Sequence, residues 1–421
     1  MTFHQAARHD PGTTTRETWT DTVRGACIVL VVLFHYVVLQ QNAHLVPAPL
    51  VWLNDAMAPF RMPLLMVLSG LFVPASLRHG PWRFVTRRLA GVAWPLVVWS
   101  LMSWGIQVVA ANGSAVLSSP VESLLSTRLA APAGVWFLAY LLVFSAIALL
   151  TRRLPPTIVA VGAWSIALVT PRVGTDPEID RFFVLLAFFM GGVALIRLPS
   201  RLVAVARTPQ AVVVSAVAAA ACVAIAVARG TAEVHYLPSM APAVAVGMIA
   251  IVRAAQALQH RRVSRLLAVV GRRSVVYYLS HFVGLAMAVA VTERVGATSL
   301  SWTVLGIGLS FGVGVALHAL VTVVPPADIL FRWPTRTGSR AQRRRASAAR
   351  SDQLRVADAG LVVPALAVEP AGGVGRGGAD GVDDAGAVPV RPGLDVPEEV
   401  RAESVATSDL GDHQQQQLGR G

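Results

Sequence analysis

Runs of roughly twenty apolar residues recur about ten times along this chain, separated by short stretches that carry arginine, and this spacing leaves it few ways to fold. A helix needs roughly 20 mainly apolar residues to cross a bilayer. The runs lie near 23–41, 57–77, 89–111, 134–151, 155–171, 181–198, 210–229, 235–253, 274–294 and 301–324. Hydrophobic residues make up 54% of the 421 and charged residues only 14%, against about a quarter in soluble domains. The fold class that follows is all-α: a polytopic membrane helical bundle of about ten transmembrane helices.

Arginine placement orients the bundle, because cytoplasmic connections retain positive charge. Arg8, Arg16 and Arg24 precede or open the first run, Arg78, Arg83, Arg87 and Arg88 follow the second, and Arg152 and Arg153 follow the fourth. Arg197, Arg201 and Arg207 follow the sixth, and Arg253, Arg261, Arg262, Arg265, Arg272 and Arg273 follow the eighth. The intervening connections hold few arginines, and Asp176, Glu178 and Asp180 make the one before the sixth run acidic. Both termini are therefore expected in the cytoplasm. This bias accounts for the net charge of +13, so no nucleic-acid partner is implied. Membrane lipids are the expected surroundings, in a multi-pass protein of a cell membrane, the bacterial cytoplasmic membrane first.

The polar first twenty residues and the missing small-residue cleavage site predict that the first run is retained. Cys27 and Cys222 both fall inside apolar runs, so no disulfide or metal framework is expected. The domain reading is a flexible N-terminus over 1–15, a membrane domain over 16–330, and a basic, then acidic, low-complexity cytoplasmic tail over 331–421, expected to be disordered.

Ionisable groups inside a span are costly and point to function. The runs contain His35, His281 and His318, with Arg61 near one end of the second, and no Asp or Glu near the middle of any. His35 stands eleven residues after Arg24, about 1,100° of helical rotation, which brings the two within roughly 20° of one another. Asp21 lies about 40° to the other side, so Asp21, Arg24, Ile28, Val31 and His35 form one stripe. Arg24 sits about 16 Å below His35 and pairs at i, i+3 with Asp21. Tyr278 and His281 share a face in the same way.

"RETWTDTVRGACIVLVVLFHY", Arg16 to Tyr36, resembles the opening of the acyltransferase type 3 family of integral membrane O-acyltransferases. "APFRMPLLMVLSGLFV" from Ala58, "RFVTRRLAGVAWPLVVW" from Arg83, "VWFLAYLL" from Val135 and "SVVYYLSHF" from Ser274 are similar to its later landmarks, in the expected order. The first two stretches look closest to the fucose 4-O-acetylase-like branch, with Arg61 where that branch often carries histidine. The resemblance implies transfer of an acyl group, commonly acetyl from cytoplasmic acetyl-CoA as co-substrate, to a hydroxyl of a carbohydrate or related acceptor, with no bound cofactor and no metal. On that reading the catalytic candidates are His35, Arg24, Asp21 and Arg61. His35 would be the base that activates an alcohol, or a transient acyl carrier. Arg83, Arg87 and Arg88 are the candidates for the acyl-CoA phosphates. Ser69, Trp136, Phe137, Tyr278 and His281 are the candidates for cavity lining.

Two other readings stay open at this level: a transporter or flippase for such molecules, and a non-catalytic acyl-CoA sensor. Proton-coupled transport usually needs an interior carboxylate, and its absence favours chemistry.

Overall fold

The computed structural model describes residues 18–40, 46–110, 135–174, 177–234, 236–295 and 299–333. All belong to the first of two units, Met1–Arg350 and Ser351–Gly421. The expected N-terminal stretch 1–15 and the tail from residue 334 lie outside the described residues.

The described residues are helical throughout, with no strand among them. The longer helices are α1 (Trp19–Gln40), α2 (Ala48–Leu71), α3 (Pro81–Arg88), α4 (Trp94–Ala110), α5 (Trp136–Leu150) and α6 (Pro156–Val169). They continue as α7 (Pro177–Leu195), α8 (Pro209–Arg229), α9 (Ala241–Ala257), α10 (Arg262–Arg272), α11 (Ser274–Val295) and α12 (Ser299–Val323). Seven segments among the described residues are long and apolar enough to cross a membrane: Trp19–Leu39, Ala48–Leu77, Pro156–Val173, Pro209–Arg229, Pro238–Ala257, Ser274–Val291 and Ser299–Val323. The other three apolar runs take different forms. The run at 89–111 begins as a π-helical turn, Leu89–Ala93, and continues as α4; the run at 134–151 forms the 15-residue α5; the run at 181–198 falls in α7, which carries Glu178 and Asp180 in its first turn.

Of the seven segments, the one that contains α2, Ala48–Leu77, is the most enclosed. Pro59 and Pro63 stand inside it. Each removes a backbone hydrogen bond, a loss that neighbouring helices make tolerable in a membrane. Close helix crossings set the other positions, and they depend on glycine. A Cβ on Gly70 would lie 2.0 Å from the Phe189 carbonyl oxygen, and one on Gly192 would lie 2.2 Å from that of Val67, so α2 and α7 cross backbone to backbone. Gly25 and Gly271 do the same for α1 and α10, where a Cβ on Gly271 would meet the Asp21 carbonyl oxygen at 1.8 Å. This is the small-residue contact expected where lipid supplies no hydrophobic drive between helices.

Candidate active site

The polar stripe on α1 opens into two cavities. Arg24 and Ile28 line a larger one of about 500 Å³; Val31 and His35 line a small one of about 10 Å³, room for roughly one water. Asp21 is buried behind Arg24, with 4.0 Å between carboxylate and guanidinium.

Three guanidinium groups face the larger cavity: Arg24, Arg87 and Arg88. Arg24 lies 5.2 Å from the centre of the Phe72 ring and Arg88 5.3 Å from that of Phe84, contacts that hold long side chains in place by cation–π attraction. Burial holds Arg88 below the ordinary arginine value, an electrostatic cost that an incoming anion relieves. Arg83, one turn earlier, is exposed and does not line the cavity. Gly91 and Val92 of the π-helical turn form part of the wall. Ser69 also lines it, its hydroxyl donating to the Leu65 carbonyl at 2.7 Å, while its neighbour Gly70 makes the crossing with α7.

The small cavity brings His35 together with Arg61, Trp136, Tyr236 and Tyr278. Arg61 does not reach for the surface. It is 1% exposed, donates to Asn54 Oδ1 at 2.8 Å and lies 4.0 Å over the Phe34 ring. Asn54 in turn donates to Asp55 and to Thr231, and the Thr231 hydroxyl donates to Asp55. An arginine flanked by two prolines inside a candidate span is thus fixed by a polar network that reaches Asn54 and Asp55 of its own helix and Thr231.

His281 is not a wall of this cavity; it stands behind His35. Its Nδ1 lies 2.6 Å from the Tyr278 carbonyl oxygen, and its Nε2 lies 3.2 Å from His35 Nδ1. His35 Nδ1 is also 2.9 Å from the Val31 carbonyl oxygen. Carbonyl oxygens only accept, which assigns the protons. His281 carries its proton on Nδ1 and presents a lone pair at Nε2; His35 carries its proton on Nδ1, shared between Val31 and His281. In that tautomer the acceptor position of the His35 ring is Nε2, and the ring lines the cavity.

Tyr278 lines both cavities. Its hydroxyl is hydrogen-bonded to the Phe137 backbone, and its ring centre is 5.3 Å from that of Phe137, which lines the larger cavity. Trp136 is buried on the other side of the same turn and lines the small one.

Two residues at this site escape sequence reasoning. Arg181 is 3% exposed, lies 4.7 Å over the Trp136 ring, donates to the Tyr140 hydroxyl at 3.4 Å and pairs with Glu178 at 3.6 Å. Its signal was an arginine on the arginine-poor side of the chain. Tyr236 lines the small cavity with φ at +64°, a backbone conformation costly for an aromatic residue. Part of its surface is exposed, but the hydroxyl is enclosed, and burial pushes it up to about 12 despite the opposing pull of Arg61 and Arg181. Nothing in the sequence around it announces this. His318 is half-buried on α12 and lines neither cavity.

The family described as an acyltransferase domain, Acyl_transf_3, has a model that matches residues 17–319, a stretch that includes every residue lining both cavities. No curated protein and no solved structure matches the chain. With that family match over most of its length and a multi-pass set of apolar helices around the site, the chain belongs to the acyltransferase type 3 family and is a membrane acyltransferase.

Proposed function

We propose that this enzyme moves an acyl group, acetyl first, from acyl-CoA at the cytoplasmic side to a hydroxyl of a carbohydrate, lipid-linked sugar or related acceptor. The bundle on this reading has ten spans with both termini cytoplasmic, set in the bacterial cytoplasmic membrane. The observation that carries it is a histidine ring lining a small cavity, with an arginine-lined cavity on the other side of one tyrosine ring.

Coenzyme A is polyanionic, and Arg24, Arg87 and Arg88 offer it three guanidinium groups. The pantetheine arm then extends past Tyr278 toward His35. His35 Nε2 takes the proton of the acceptor hydroxyl as its oxygen attacks the thioester carbonyl. The carbon–sulfur bond breaks as the tetrahedral intermediate collapses, and the leaving thiolate takes that proton from Nε2–H. Each atom and charge is then accounted for. Arg61 supplies the fixed cation near the developing oxyanion. Arg61 itself departs from the fucose 4-O-acetylase-like branch, but the stretches from Arg16 and from Ala58 resemble it, and that resemblance supports a sugar hydroxyl as acceptor. His35 as a transient acyl carrier uses the same nitrogen, and a burst of thiol release without acceptor would identify it.

The test is incubation of purified protein with labelled acetyl-CoA and a panel of sugar acceptors, following free thiol and label. Thiol release coupled to label on an acceptor hydroxyl, lost in His35→Gln, is the expected result. Movement of acceptor across vesicles with the thioester intact would instead support transport.

A further inference from the structure

An apolar cavity on another face of α2 takes no part in either site described above. It is a groove of about 520 Å³ bounded by α2, α6, α7 and α9, and it shares no lining residue with the cavities around His35 and Arg88. Leu64 and Leu68 of α2 and Gly191 of α7 line it together with Trp164 of α6. Along α9 it runs from Ala241 to Gln256, about 22 Å at 1.5 Å per residue, against roughly 15 Å for one leaflet of the hydrocarbon core.

Its polarity is one-ended. Among the described residues, the charged ones lining it are Arg207, just before α8, and Arg253, near the end of α9. These are antiparallel neighbours, so both arginines sit at the same end. Arg253 donates from Nη1 to Gln256 Oε1 at 3.1 Å, and Gln256 lines the groove beside it. The opposite end, at Ala241 and Pro242, is apolar. Midway, a Cβ placed on Gly191 meets nothing within 4 Å, so the groove is open space there.

We propose that this groove seats one anionic glycerophospholipid, an acyl chain lying along α9 and the phosphate held between Arg207 and Arg253. Apolar length with two cations at a single end is the complement of such a lipid. The seat lies on the back of α2 and α7, the helices that carry Arg61 and Arg181, so an occupant braces the site from outside. The inference rests on the groove and not on the acyl-transfer reading.

The test uses the full-length protein in neutral detergent with dioleoylphosphatidylglycerol or dioleoylphosphatidylcholine, reading thermal stability and lipid binding. An arginine near an anionic lipid contributes about fivefold in affinity, so a preference of about 25-fold for the anionic lipid is expected from two. Arg207→Gln with Arg253→Gln should erase that preference while the zwitterionic lipid binds as before. Gly191→Trp, whose Cβ enters open space on the groove wall, should abolish binding of both. Equal binding of the two lipids by the natural sequence would overturn the proposal, as would a preference that survives the double arginine replacement. The arginine pair decides the matter even where Gly191→Trp fails to fold.

Discussion

If His281 works only by holding His35, then its loss should be forgiven wherever His35 is already gone. The geometry sets the size of each effect. His35→Gln removes the base, a loss of about 10²- to 10⁴-fold. His281→Leu leaves Nδ1 of His35 with the Val31 carbonyl at 2.9 Å but deletes the acceptor at 3.2 Å that faces it when His35 becomes a cation. A hydrogen bond to a charged group is worth about 1.5–3 kcal/mol, or roughly 10- to 150-fold in rate. The surviving Val31 bond places the expected loss at the lower end, about 10- to 30-fold. His281→Gln should recover most of it, since its amide N–H can donate to Tyr278 and its oxygen can accept from His35. The assay is single-turnover thiol release from acetyl-CoA in detergent, normalised to monodisperse folded protein. In the double variant His35→Gln, His281→Leu the rate should equal that of His35→Gln alone within about twofold, the signature of groups that act as a unit. Losses that multiply would refute the argument and give His281 a separate role, as would a His281→Gln variant no better than His281→Leu.

The donor cavity makes a sharper distinction than charge alone: Arg87→Gln with Arg88→Gln should raise the KM for acetyl-CoA about 10- to 100-fold, whereas Arg83→Gln, exposed and off the cavity wall, should leave it unchanged. Equal effects at all three would mean that only bulk positive charge matters. Gly271→Leu should lower the melting temperature and the amount of protein in the membrane, since its side chain runs into the Asp21 carbonyl at a cost of about 1–3 kcal/mol or more; normal accumulation and melting would remove that crossing from the account. Tyr236 is an acid whose value is raised to about 12, so its phenol stays protonated below that pH and adds no limb to the rate profile; Tyr236→Phe should change turnover by the same factor at both ends of a neutral range. A factor that varies with pH would show that the phenol titrates during turnover.

The fold was legible because lipid makes hydropathy almost sufficient: seven of the apolar runs stand as helices able to span. The other three show what a run length leaves out. The run at 89–111 opens with a π-helical turn, and Arg181, Glu178 and Asp180 fall within the α7 helix, where Arg181 anchors to Tyr140 and to Glu178. At the site, helical rotation put Asp21, Arg24, Ile28, Val31 and His35 on one face; the last four line the two cavities, while Asp21 lies buried behind Arg24. Rotation along one helix says nothing of its neighbours. That the stripe is split by Tyr278, that His281 bonds to His35 from behind, and that Arg61 is held by Asn54 are facts of packing between elements far apart in sequence or of a polar network turned inward. Tyr236 was least legible, because its place depends on a backbone conformation that its residue type disfavours.

Splitting the stripe has a chemical consequence on the acyl-transfer reading. A thioester beside an activated water is lost to hydrolysis, so the base and the donor must stay apart until the acceptor arrives. The small cavity, at about 10 Å³, has no room for a thioester and an alcohol while Tyr278 holds its place. The buried ring is held by a hydrogen bond to the Phe137 backbone and by packing against Phe137 and His281, and a bound substrate has to replace those contacts to displace it. Water alone makes no comparable contacts and has nothing with which to displace the ring. On that reading the tyrosine that stands between His35 and the arginine cavity is the element that has to move for the two reactants to meet, and the buried His281, in contact with His35 Nδ1, favours the tautomer whose acceptor is Nε2.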